Sequence, residues 1–199
     1  LSMFLSIPAS IALVIGSEQI ISALFGYGSF TKDSVLNSSN ALYYFGLGLP
    51  AFALIKVFST FFFANHDTKT PFYISLASVL LNIVISVYFF KDIGFIIIPI
   101  ATTISSWFNS LVLFIYLKNN GLFEFNEIFF KKFIKIMFVS IMTGFFFGYL
   151  ILFFENQLSY TFNFKFVYLI LCVFLTIIFY LTLSYFIKAF NYSDIKIKY

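Results

Sequence analysis

Arginine is missing altogether from the 199 residues, and charge of either sign is scarce. Twelve lysines and eight acidic residues make up 10% of the chain. Soluble domains carry about 25% charged residues, and so few charges cannot cover a water-facing exterior. A single cysteine, Cys172, excludes an internal disulfide and with it the small cross-linked secreted scaffolds. A single histidine, His66, excludes a multi-histidine metal site, so neither metal nor cofactor is expected. Glycine-rich phosphate loops and paired carboxylates beside an embedded base are also missing, and an enzyme is not expected. The net charge of +4 does not point to nucleic acid, because the lysines flank apolar runs instead of forming a basic patch.

What the chain does have is apolar mass: 61% hydrophobic and 24% aromatic residues, with 33 phenylalanines spread through every segment. A bilayer core about 30 Å thick is crossed by about 20 residues of helix. Six runs meet that length, at residues 3–22, 41–63, 72–90, 93–117, 133–154 and 166–187. None alternates strictly, which argues against a transmembrane barrel. The expected fold is all-α, a polytopic membrane protein of six transmembrane helices. The first run lacks a basic leader and carries Pro8 and Glu18, unlike a secretory signal. The chain opens already apolar, as expected of a piece cut near the start of a helix.

Six crossings put both termini on one side, and the lysines choose that side. It collects Lys69, Lys118, Lys131, Lys132, Lys135, Lys188, Lys196 and Lys198, against Lys32, Lys91 and Lys165 opposite. The positive-inside rule makes the terminal side cytoplasmic.

Polar residues inside the runs are few enough to be read singly. Thr31 can cap a helix whose first turn holds Asp33, and the helix then enters the membrane near Ala41. Gly46, Gly48 and Pro50 interrupt it, as a packed kink or as a mobile break lining a cavity. Lys56 follows, about 10 Å from the cytoplasmic end of its span. It either faces a cavity or snorkels to the interface. In the cytoplasmic turn 65–71, Thr70 is placed to cap the third helix and Pro71 to occupy its first position. Asp67 and Lys69 form part of this turn or pair across helices as a gate. On the fourth run Thr102, Ser105, Ser106, Asn109 and Ser110 share one inward face, with Pro99 bending the helix above it. That face is either packing glue or cavity lining. Beyond Lys135 at the cytoplasmic start of the fifth, the last two runs hold no charged residue, and Gly144 and Gly148 allow a close neighbour.

Three stretches in order carry a family resemblance. Residues 24–33, reading LFGYGSFTKD, resemble the first motif of MurJ/MviN-type lipid II flippases of the MOP transporter superfamily. Residues 44–57, YFGLGLPAFALIKV, resemble the family's glycine-proline-lysine span, and residues 63–71, FANHDTKTP, its cytoplasmic turn. Trp107-Phe108-Asn109 and Leu117-Lys118 continue the likeness more weakly, so it covers about residues 1–120. The resemblance implies helices nine to fourteen of fourteen. Residues 1–120 would be four helices of the second transporter lobe, and residues 121–199 two additional helices and a cytoplasmic tail. The extra pair is implied to form a groove for a lipid tail.

On the same basis the place is the bacterial inner membrane, and the expected activity is flipping of a lipid-linked cell wall precursor by alternating access. The expected partners are that precursor, membrane lipids and the missing N-terminal half of the transporter. The family's cavity arginines lie in its earlier helices, and this arginine-free chain carries none of them. Lys56 and the turn from Asp67 to Pro71 are what match. Another exporter of the superfamily, or a membrane scaffold without transport, are the alternatives.

Overall fold

The computed structural model describes residues 1–121 and 127–189. Glu124, Asp194, Lys196 and Lys198 lie outside the described residues, so part of the lysine tally does too. Six long helices are present: α1 (Ser2–Phe25), α2 (Lys32–Ala64), α3 (Lys69–Ile93), α4 (Ile97–Asn119), α5 (Glu127–Phe153) and α7 (Lys165–Ile187). A four-residue α6 (Glu155–Leu158) sits between the last two, and a 3-10 turn (Gly94–Ile96) joins α3 to α4.

Five stretches are long and apolar enough to cross a membrane, and one of them, Lys69–Asn119, contains both α3 and α4. At 1.5 Å per residue its 51 residues would extend about 75 Å, far beyond one bilayer core. It folds back on itself: Asn82 bonds to Thr102 and Ser105, while Asn109 bonds to Ser75. Residue numbers that rise on one helix as they fall on the other mark an antiparallel hairpin. Its bend contains Gly94 at φ 73°, a conformation that glycine adopts without Cβ strain. The five stretches therefore supply six crossings.

Large apolar side chains face outward along most of this surface. Tyr88 is 74% exposed, and Tyr185 and Phe186 are each 78% exposed. In water such a surface would aggregate, whereas in lipid it is solvated. Lipid also removes most of the hydrophobic drive between helices, so packing falls to small residues and hydrogen bonds.

Helix α2 lies between α1 and α4, and α4 carries α3 on its far side. Two glycines on α2 allow both approaches. A Cβ on Gly46 would stand 3.0 Å from Leu13 Cβ of α1, and one on Gly48 would stand 2.9 Å from Thr103 Oγ1 of α4. Helix α5 packs on α1, where a Cβ at Gly144 would collide with Ile11 and one at Gly148 would only touch Ile15. Among the described residues, α5, α6 and α7 reach the other long helices only through α1.

Candidate functional site

The three intramembrane proline and glycine positions of α2 do not break it. Helical geometry runs from Lys32 to Ala64 through Pro50, contrary to the interruption expected from sequence. The reason is external repair. Pro50 has no N–H, which leaves the carbonyl of Gly46 without its helical donor. Ser10 of α1 donates its hydroxyl to that carbonyl at 2.7 Å. Two neighbouring carbonyls are also met from α4: Thr103 Oγ1 donates to Tyr44 at 2.6 Å and Trp107 Nε1 to Leu47 at 3.1 Å. Pro8 in α1 is treated the same way, for Tyr180 of α7 donates its hydroxyl to the Phe4 carbonyl at 2.6 Å. Non-helical geometry inside α1 falls instead at Gly16 (φ −104°, ψ 15°), against the ring of Phe147. Pro99 is the third residue of α4, where no helical hydrogen bond is lost, so no bend follows from it.

The polar face of α4 divides between neighbours. Thr102, Ser105 and Asn109 look toward α3, where Asn82 Nδ2 donates to Thr102 Oγ1 at 3.0 Å and Asn109 Nδ2 to Ser75 at 3.4 Å. Asn109 is buried, and its Oδ1 has no partner. Ser106 and Ser110 return their hydroxyls to their own helix, at Thr102 and Trp107. Thr103 and Trp107, both absent from the sequence-derived face, are the residues that bond to α2.

Lys56 is exposed, in a stripe with Phe45, Phe52 and Phe63 on the side of α2 away from α1 and α4. That spacing (i, i+7, i+11, i+18) keeps one helix face. Thr31 caps α2 as its sequence suggests, accepting from the Ser34 N–H at 3.2 Å.

The turn after α2 is capped by a different residue than expected. Asp67 Oδ1 accepts from the Lys69 and Thr70 N–H groups at 3.1 and 3.0 Å, while Thr68 occupies the cap position without a side-chain bond. Thr70 lies inside the first turn and Pro71 is the third helical residue, not the first. The hydrogen bond from the Thr70 side chain, aided by the backbone bonds and the Lys69 charge, holds the Asp67 carboxyl below its ordinary value. His66 sits beside it at φ 59°, an exposed loop residue.

One cluster escaped the sequence reading. Lys165 is the first residue of α7 and only 1% exposed. Its ammonium donates to the carbonyls of Gly26 and Tyr160, both at 2.7 Å. The rings of Tyr27 and Tyr160 lie 4.5 and 4.7 Å from it, within cation–π range. Tyr160 in turn donates its hydroxyl to the Phe30 carbonyl at 2.7 Å. The α1–α2 turn and the segment before α7 are thereby clasped together across more than a hundred residues of sequence. Only the aromatic flanks of Lys165 hinted at this.

Among the described residues no group of three His, Cys, Asp or Glu side chains gathers to hold a metal. The polar groups of the long helices chiefly satisfy backbone carbonyls and join one helix to the next.

Comparison with known proteins gives this arrangement a family. A family model described as Lipid II flippase MurJ matches residues 1–192. The probable lipid II flippase MurJ of Rhizobium meliloti (strain 1021) is 39% identical over 113 residues, covering 57% of this chain and 21% of that protein. That of Thermotoga maritima is 34% identical over 143 residues, covering 72% and 28%. A counterpart in Buchnera aphidicola subsp. Schizaphis graminum is 26% identical over 197 residues, covering 96% and 38%. Among solved structures, a lipid II flippase MurJ in an inward closed conformation matches at TM-score 0.75 and 29% identity, over 94% of this chain and 37% of that one. The chain thus spans about a fifth to two fifths of the length of these relatives. With helices, proline repairs and motif order all falling within a family match that begins at residue 1 and ends at residue 192, the chain belongs to the lipid II flippase MurJ family.

Proposed function

We propose that this chain is part of a flippase that carries an undecaprenyl-linked peptidoglycan precursor from the inner to the outer leaflet by alternating access. The family match over residues 1–192 carries the reading. The missing N-terminal portion of the same transporter is its main partner. Both ends of the segment lie in the cytoplasm on this reading, supported by the lysine asymmetry. Residues 1–120 serve as part of the second lobe and residues 121–199 as an added helix pair. Packing of α5 and α7 on α1 alone, among the described helices, supports that division.

Lys56 is the charged side chain offered to the substrate path, because its stripe is left open by α1 and α4. Gly46, Gly48 and Pro50 let α2 flex while its carbonyls stay satisfied from neighbouring helices. The turn from Asp67 to Pro71 fixes the cytoplasmic entry of α3. The experiment is complementation: the full-length transporter containing this segment is expressed in a bacterium depleted of its own lipid II flippase. Growth and normal cell shape are expected. Lysis despite normal membrane expression rejects the proposal.

A further inference from the structure

Beside the Lys165 clasp lies a second feature that the transport reading leaves unused. A cavity of about 370 Å³ opens between α1, the start of α2, the end of α5 and α6. That volume falls in the range of small-molecule sites, about 300–1,000 Å³. Glu18, Glu155 and Lys32 all line it. Each is exposed, and among the described residues none makes an ion pair or a side-chain hydrogen bond. Ser22 also lines the cavity, 4% exposed, with an Oγ that has no partner. Two carboxylates and one ammonium are therefore presented together to whatever enters, with the unpaired Ser22 hydroxyl buried in the wall behind them.

Charge of both signs selects a ligand of both signs. A phosphate group matches Lys32, and a primary ammonium, with three N–H donors, matches Glu18 and Glu155. A quaternary ammonium is disfavoured because it has no N–H to give. Its usual receptor is an aromatic cage, and here Tyr160 is the cavity's one aromatic lining residue. The Lys165 ammonium already lies 4.7 Å from that ring. The apolar wall continues outward through Leu152, 70% exposed, onto the lipid-facing surface of α5 with Phe145 at 72% and Phe153 at 65%. A headgroup seated in the cavity would thus leave its acyl chains lying along α5.

We propose that this cavity is a binding site for the headgroup of a phosphoethanolamine lipid, with Lys32 on the phosphate and Glu18 and Glu155 on the ammonium. The site is independent of the central substrate path. Because it is framed by the clasped turn, a lipid there braces the outer end of α1 against α5 and α6.

The test is native mass spectrometry of the full-length protein in detergent, offered equal amounts of phosphatidylethanolamine, phosphatidylcholine and phosphatidylglycerol. Selective retention of phosphatidylethanolamine is expected. Lys32→Gln, and separately the pair Glu18→Gln with Glu155→Gln, should each lower its retention about tenfold, as loss of a charge-assisted hydrogen bond allows. All three residues are exposed, so the variants keep the fold. Lys91→Gln, at an exposed lysine outside the cavity, should change nothing. Equal retention of the three lipids, or unchanged retention in both variants, overturns the proposal. Free phosphoethanolamine at the same concentration should not bind, since it has no chains to lie on Leu152. Binding as strong as that of the lipid would assign the cavity to a soluble solute and overturn the lipid assignment.

Discussion

Ser10 and Gly46 form the hydrogen bond on which the continuity of α2 depends. The Ser10 hydroxyl, 2.7 Å away, takes the place of the N–H that Pro50 cannot supply. Tyr180 does the same for Phe4 four residues before Pro8, at 2.6 Å. In lipid, an unmatched carbonyl has no water to turn to, so each proline is tolerated through a hydroxyl on a neighbouring helix. The two prolines consequently tie α2 to α1 and α1 to α7.

This coupling predicts a double-mutant result. Ser10→Ala should destabilise the full-length protein by about 0.5–2 kcal/mol, the range expected for an interhelical hydrogen bond in a membrane. In a Pro50→Ala background the helical donor is restored, and Ser10→Ala should cost much less. Thermal unfolding in detergent of the two singles and the double measures the coupling. Equal losses in both backgrounds would show that the bond repairs nothing.

Gly144 and Gly148 should respond differently to the same change. A Cβ at Gly144 meets Ile11, so Gly144→Ala should lose about 1–3 kcal/mol by overpacking the α1–α5 seam. At Gly148 the nearest atom is Ile15 Cγ2 at 3.6 Å, ordinary contact, and Gly148→Ala should be close to neutral. Melting temperatures of the two variants compare them directly.

Asp67 gives a pH-dependent prediction. Its folded carboxyl titrates below the ordinary value of 3.8, chiefly through the Thr70 side-chain hydrogen bond. Its contribution is therefore fully present above that ordinary value and is lost as pH falls through the lower folded value. Asp67→Ala should be less stable than the parent at neutral pH, with the difference shrinking as the medium is acidified below about 4. A constant difference across that range would exclude the carboxylate as the cap.

Lys165→Met should loosen the clasp without unfolding the helices. Removing the ammonium leaves the Gly26 and Tyr160 carbonyls unpaired, at about 1–3 kcal/mol for a buried group. Hydrogen exchange should accelerate at residues 26–31 and 159–164 together, because the one cation holds both. Faster exchange in just one segment would break the link.

Lys56→Ala, in the full-length transporter, should lower flipping severalfold at unchanged expression if its stripe faces the substrate. A lysine that merely snorkels would leave transport intact, which a vesicle flipping assay at matched protein levels distinguishes.

Hydrophobic run length made the helices readable. Residues 166–187 and α7 differ by one position, and Thr31 caps α2 because a hydroxyl before a first-turn carboxylate is a local signal. What stayed hidden depends on contacts distant in sequence. Lys165 is 139 residues from Gly26, so its burial could not be seen beside an apolar run that it appears merely to flank. Pro50 announced a missing donor, but its substitute, Ser10, sits 36 residues away on another helix. Gly46 and Gly48 announced weakness in α2, whereas two such residues back to back also make a thin slab that α1 and α4 can press from both sides. Local chemistry predicted the Asp67 turn in outline. It assigned the cap to Thr70 because loop shape, with His66 in the left-handed region, decides which oxygen reaches the N–H groups.

The position of α1 governs how force moves through the molecule. Helices α5 and α7 are in series with α2 and α4, not in parallel, and α1 is the single helical coupling between the two groups described. A displacement of α2 can reach the last two helices by the α1 seam or by the Lys165 clasp at one end. The clasp therefore acts as a shunt across that seam. With the clasp intact, α1 is held along its length and at its tip, so the last two helices are joined to the rest at two places. Without it, the α1 seam alone would carry that load.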